Sequence, residues 1–288
     1  MASFGARLGE SFDRFGRLCV GIDPHAGLLD AWGLPASGAG VREFGLRVVD
    51  AMAGRVGICK PQVAFFERFG SAGIAGLERV LAEARGAGIL VIADAKRGDI
   101  DTTMDAYARA WLEPGSPLEA DALTVNPYQG LGNLAPTHRL AQQHEKGLFV
   151  LAATSNPEAA AIQRSVLQQG SREGSTVAAA ICSGVAAWNA EEPEAAQQPF
   201  GSTGVVIGAT VDLRAAGIDP DDTGTPRTPI LAPGFGAQGA ALSDLGDTFG
   251  ALAAGVIANE SRSILSAGPD GIRDAIARRA EATAVARG

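Results

Sequence analysis

Short apolar runs and amphipathic stretches alternate along this chain about eight times. The runs are Leu18–Ile22, Val56–Cys59, Ile89–Ala93, Ala122–Val125, Leu148–Ala152, Gly204–Ile207, Pro229–Ala232 and Gly255–Ala258. They lack polar alternation, which is the pattern of strands covered on both faces. Between them, Val41, Phe44, Val48 and Met52 mark one helical face, and Ile74, Leu77, Leu81 and Ala84 mark another. Val177, Ile181, Val185 and Trp188 fall at i, i+4, i+8 and i+11, and Ile272, Ile276 and Ala280 follow Pro269, a residue suited to a first helical turn. Strand-then-helix units repeated eight times within 288 residues predict an α/β fold, a (β/α)8 TIM barrel, as one domain over residues 1–288. Two polar segments, 156–175 after the fifth run and 212–228 after the sixth, read as surface insertions, the first suited to be a lid.

Composition narrows the partners. Net charge is −8 and no basic block stands out, so neither nucleic acid nor an anionic membrane is expected. A small phosphate-bearing molecule remains allowed, because a few cations and backbone N–H groups suffice to hold it. Cys19, Cys59 and Cys182 are far apart and form no CxxC pair, so they read as reduced thiols. The first residues show no uninterrupted apolar signal segment, and the longest uncharged stretch, 174–190, is too short and too polar for a membrane span. The expectation is a cytoplasmic protein. His25, His138 and His144 show no ligand spacing, and no residue is assigned to a metal.

In a barrel of this type the active site lies at the carboxyl ends of the strands. Those ends carry Asp23, Lys60, Asp94 with Lys96, Asn126, Thr154-Ser155, Thr210, Pro233-Gly234 and Ser261-Arg262. A single polar strand end means little, but packing alone does not explain a full ring of them. The segment ILVIADAKRGDIDTTMD at 89–105 is the most informative. Alternation along a strand points Asp94 and Lys96 the same way, Gly98 permits a turn, and Asp99 opens a helical pattern through Ile100, Met104, Tyr107, Ala108 and Trp111. A bare D-x-K-x-x-D is more often a surface ion pair with a helix cap; the buried run before it and the ring of polar ends reverse that reading. Carboxylates beside a lysine favour its charged form, and such an ammonium can give a proton to a developing carbanion. Gly234, Gly236 and Gly239 let the backbone approach a phosphate, with a following helix start to favour the anion, and Arg262 after the eighth run can fork onto it. The loops after strands seven and eight are the usual phosphate site of such barrels.

These residues together resemble the orotidine 5′-phosphate decarboxylase family. The likeness runs from about Leu18 to Ile264 and rests on GIDP at 21–24, CKPQ at 59–62, DAKRGDI at 94–100, TSNP at 154–157, APGFGAQG at 232–239 and SRSI at 261–264. The resemblance implies decarboxylation of orotidine 5′-phosphate to UMP in de novo pyrimidine biosynthesis, by a homodimer that uses neither metal nor organic cofactor. It implies that Lys96 protonates carbon 6 of the pyrimidine and that Asp94 faces the substrate carboxylate. Asp99 and Thr103 would reach into the partner's site. Asp23 and Lys60 would contact the ribose hydroxyls, with Lys60 also in the charged network. Ser155 would read the pyrimidine edge, and Gln238 and Arg262 would grip the phosphate beside Pro233, Gly234 and Gly239. The two long segments resemble the longer bacterial branch. Before Arg262 stands Glu260-Ser261, where compact members place a glycine. Two alternatives stay open: a Mg2+-dependent sugar-phosphate decarboxylase or aldolase of the same suprafamily, and a barrel that binds nucleotide monophosphates without turnover.

Overall fold

The computed structural model describes residues 2–193, 195–237 and 239–285. Its strands are β1 (Leu18–Ile22), β2 (Ile58–Pro61), β3 (Leu90–Arg97), β4 (Ala122–Val125), β5 (Gly147–Ala153), β6 (Thr203–Ile207), β7 (Ile230–Pro233) and β8 (Val256–Glu260). Each pairs in parallel with the next, and β8 pairs with β1 to close the barrel. The TIM-barrel expectation therefore holds, and each apolar run lies on its strand to within a few residues. β3 is longer than its run because it continues through the charged residues to Arg97.

Alternation sorts the strand residues into two cores. Val20, Cys59, Val91, Leu123, Val150 and Ala258 face outward and pack with the helices. Cys19, Ile58, Ile92, Ala122, Phe149 and Ile257 face inward and fill the barrel. The helical faces read from the sequence appear as Gly38–Met52, Gly70–Gly86, Val177–Ala190 and Gly268–Val285, the last with Pro269 at its second position.

A helix over Phe4–Phe15, which the strand rhythm did not announce, forms the barrel floor. Phe4, Leu8 and Phe12 lie at i, i+4 and i+8 and join the inner core, while Ser3 caps the helix by accepting the Ala6 N–H. Phe4 meets Phe149 edge-on at 6.0 Å between ring centroids. A Cβ at Gly147 would lie 2.6 Å from the Phe4 ring, so only glycine lets the floor close this tightly.

Two expectations need correction. The helix after β3 begins at Asp101, not at Asp99, whose carboxylate instead accepts the Ile100 N–H at 2.8 Å. Among the described residues, the connection from β6 to β7 contains turns and no helix, so the segment 212–228 replaces a helix rather than adding to one. The eight-fold repeat is thus one helix short. The segment 156–175 holds a 3-10 turn at Pro157–Ala159 and a helix at Ala160–Gln163, and its Val166 bridges antiparallel to Thr176 just beyond it. Among the described residues, no helix is long and apolar enough to cross a membrane.

His138 is a structural residue. It is buried, shares a hydrogen bond with Thr203 Oγ1 at 3.0 Å, and stacks on Trp188 at 4.7 Å. Burial, with a smaller contribution from Arg139, lowers its pKa to about 4. The neutral ring therefore contributes stability that is complete above the unfolded value of about 6.5 and is lost as pH falls toward about 4. A loss of about 2 kcal/mol is expected across that window, allowing for solvent near the ring edge. Denaturant titrations of wild type and His138→Gln should show it: the variant's stability should be flatter between those pH values, and parallel curves would remove His138 as the cause.

Candidate active site

The site is the next step of the barrel's inward series. Two residues beyond Ile58, Ile92, Ala122, Leu231 and Ile257 stand Lys60, Asp94, Thr124, Pro233 and Asn259. The same alternation that fills the barrel with apolar groups thus delivers four polar ones and a proline at its carboxyl rim. All of these but Thr124 line a cavity of about 230 Å³ whose walls also include Asp23, Gln62 and Lys96, with Leu151, Val206 and Leu231 as an apolar side.

Asp94 is the centre. Its Oδ2 lies 2.7 Å from Lys60 Nζ, and its Oδ1 lies 2.5 Å from Lys96 Nζ and accepts the Thr124 hydroxyl at 3.0 Å. Lys60 and Asp94 are buried, whereas the Lys96 side chain is 44% exposed. Burial works against both charges of the inner pair, and the partners overcome it. Asp94 is held down at about 2 by Lys60 and then Lys96. Lys60 is held above the ordinary lysine range by Asp94 and then Asp23. The result is a cation–anion–cation row with one buried end and one end open to the cavity.

Local backbone makes that row. The β3–β4 pairing shifts register between Ala93 and Arg97, and Lys96 adopts φ +49°, in the left-handed region that non-glycine residues avoid. Such a conformation costs on the order of 1–3 kcal/mol and persists where the surroundings hold it. Here Thr124 holds it, because its Oγ1 accepts the Lys96 N–H at 2.9 Å while donating to Asp94.

At the end of β1, Asp23 Oδ2 accepts the Ser261 hydroxyl at 2.5 Å, and Oδ1 is buried without a partner among the described residues. Across the cavity, Pro233 and Gly234 form part of its wall, and Gly234, Gly236 and Gly239 all take positive φ. The N–H groups of Gly236, Gly239 and Ala240 are bonded within this loop. The turn leads to a 3-10 turn at Leu242–Asp244, not directly to an α-helix, so the expected helix start is displaced from the glycines. Gln238 lies outside the described residues, and Gly239 is exposed away from the cavity lining. Arg262 lines the cavity, and its guanidinium makes no hydrogen bond or ion pair among the described residues.

Other candidates stand apart. Ser155 lines a neighbouring cleft of about 180 Å³ with Thr210 and Asp212, and Thr154 takes the cavity-facing place. Thr103 is exposed and Asp99 half-buried, and neither lines the cavity; Asp99 forms no ion pair among the described residues. Sequence reading missed Thr124, hidden inside an apolar run, and Asn259, the residue just after one. Their inward parity, two residues beyond Ala122 and Ile257, was the available signal. Glu260, flagged beside Arg262, has outward parity and pairs with Arg279 behind the barrel, so it does not face the cavity.

A closed parallel barrel with this charged carboxyl rim defines a (β/α)8-barrel enzyme. Residues 16–275 match the model of the orotidine 5′-phosphate decarboxylase/HUMPS family. The orotidine 5′-phosphate decarboxylase of Streptomyces coelicolor is 51% identical over 271 residues, 94% of this chain and 92% of that protein. Its counterpart from Corynebacterium efficiens is 48% identical over 93% of this chain and 91% of its own length. Among solved structures, Leishmania donovani OMP decarboxylase superposes with a TM-score of 0.75 at 31% identity, covering 99% of both chains. A Streptomyces avermitilis structure reaches a TM-score of 0.90 at 49% identity, covering 99% of this chain and 96% of its own. This chain belongs to the orotidine 5′-phosphate decarboxylase/HUMPS family.

Proposed function

We propose that the protein decarboxylates orotidine 5′-phosphate to UMP in de novo pyrimidine biosynthesis, with Lys96 as the proton donor. The carrying observation is the Lys60–Asp94–Lys96 row at the mouth of the cavity. The C6–carboxylate bond breaks, CO2 leaves, and the electron pair stays on carbon 6. No ring position delocalises that charge well, so a fixed cation must stabilise it. The Lys96 ammonium is the exposed cation of that row and lines the cavity, and transfer of its proton to carbon 6 gives UMP. Lys60, buried on the other oxygen of Asp94, keeps that carboxylate ionised and in place. Asp94 then presents negative charge where the substrate carboxylate would lie.

Asp23 carries a buried oxygen with no partner among the described residues, suited to a ribose hydroxyl, and Lys60 stands beside it. Arg262, with Gln238 and the turn at Pro233, Gly234 and Gly239, is assigned to the phosphate. Ser155 is assigned to the pyrimidine edge, a role that requires the segment after β5 to move inward from its neighbouring cleft. Asp99 and Thr103 are assigned to the partner's site in a homodimer. Their position outside this chain's own cavity supports that reading, as do the exposed apolar side chains of Ile100 and Tyr128 nearby. The Mg2+-dependent alternative is less favoured, because two ammonium groups and Thr124 already take up the Asp94 oxygens.

Incubation with orotidine 5′-phosphate, followed by pyrimidine absorbance with and without EDTA, tests the activity. Metal-independent conversion to UMP is expected; no conversion, or conversion abolished by EDTA, would overturn it. Arg262→Ala should lower kcat/KM by about a hundredfold, the scale of a lost charge-assisted phosphate contact, with little change in melting temperature because the guanidinium has no partner to lose among the described residues. An unaltered kcat/KM would take Arg262 out of the phosphate site.

A further inference from the structure

Glu260 sits immediately before Arg262's neighbour Ser261, yet its side chain is fully buried on the far face of β8. A carboxylate there is tolerated only if paired. Arg279, on the helix Gly268–Val285, supplies the pair: Nε lies 2.8 Å from both oxygens and Nη2 lies 2.5 Å from Oε1. The second oxygen, Oε2, also accepts the Ser263 hydroxyl at 2.5 Å. A Cβ at Gly236 would lie 2.9 Å from that same Oε2 and 2.7 Å from Ser263 Oγ. The glycine turn after β7 is therefore seated directly on the Glu260–Ser263 contact.

The residues around Arg262 are fixed on every side. Glu260 is tied outward to the last helix, Ser261 inward to Asp23, and Ser263 back to Glu260. Among the described residues, the Arg262 guanidinium makes no bond, and it lies at the cavity. A helix of four residues, Arg262–Leu265, has little rigidity of its own, so its orientation comes from these ties.

We infer that Glu260 is a positioning residue. Its buried ion pair with Arg279 sets the backbone of residues 261–263 and seats Gly236, and so aims Arg262 at the substrate phosphate. This rests on the phosphate assignment made above. It also gives a physical reason for a glutamate at this place: the carboxylate does not meet the phosphate but braces what does.

The test is the affinity of the full-length protein for UMP and for uridine, by calorimetry or NMR titration, in wild type, Glu260→Gln and Arg279→Lys. Glu260→Gln keeps shape and the Ser263 contact but loses the ion pair. UMP affinity should fall about tenfold and uridine affinity should stay within about twofold, because uridine never meets Arg262. Arg279→Lys, which keeps charge without the fork, should fall between the two, and it carries the test alone if Glu260→Gln does not fold. In an Arg262→Ala background, Glu260→Gln should change UMP affinity by less than about threefold, since the two changes act through one contact. Equal losses for UMP and uridine, an unchanged UMP affinity in the folded variants, or a full tenfold loss in the Arg262→Ala background would each overturn the positioning role. Wild-type protein that binds UMP no more tightly than uridine would remove the phosphate site itself, and this role with it.

Discussion

Replacing Lys96 by alanine should lower turnover of orotidine 5′-phosphate on the order of 10⁴-fold or more, while UMP still binds. The magnitude combines loss of a general acid with loss of the nearest positive charge. The substitution isolates the ammonium cleanly. Alanine suffers the same left-handed penalty at φ +49° as lysine does, so the backbone cost is unchanged. The Thr124–amide hydrogen bond is also kept, because it involves the main chain. The side chain is 44% exposed, so the lost ion pair with Asp94 weakens the fold little. Melting temperature and UMP affinity should stay near wild type. Near-normal decarboxylation by a folded Lys96→Ala protein would end the assignment.

Lys60→Met should fail in a different way. Lys60 is buried against Asp94, and methionine fills its volume without its charge. Asp94 would retain Lys96 and Thr124 but lose its inner partner. Breaking a buried pair from one side costs about 3 kcal/mol or more, so a clear drop in melting temperature is expected. Turnover should fall at least about a hundredfold, because Lys96 would then be the sole cation balancing Asp94 and would be drawn toward it. Asp94→Asn in the Lys60→Met background should recover much of the stability and none of the activity. A Lys60→Met protein with wild-type stability would show that the pair contributes nothing to the fold. One with wild-type activity would show that the row does not act as a unit.

These two lysines also show how much the chain discloses before its structure is seen. Both stand at the ends of apolar runs, and strand alternation puts Lys96 with Asp94, so the charged rim was readable. Lys60 was expected to join those charges from its own strand end, but the geometry that puts both lysines on the two oxygens of Asp94 was not readable, because it depends on the register shift in β3 and on Thr124, a residue from another strand with no mark of its own in sequence. The barrel was legible because its strands read as uniform apolar runs. Its floor was not, since a single helix outside the repeat, Phe4–Phe15, breaks no rhythm and adds no strand. The missing helix after β6 was hidden by counting strands, which the turns of 208–229 do not disturb. Ser155 and Thr154 are adjacent in a strand-end turn, and alternation no longer says which one faces inward once the strand has stopped.

The central claim is that the Lys96 amine meets carbon 6 of the pyrimidine. A crystal structure of the homogeneous protein with a UMP-like inhibitor measures this directly. The account predicts Lys96 Nζ within about 3.2 Å of the group at ring position 6, with Asp94 alongside and Arg262 on the phosphate. A nucleotide bound elsewhere, or bound in the cavity with the Lys96 amine turned to solvent many ångströms from the ring, would contradict it.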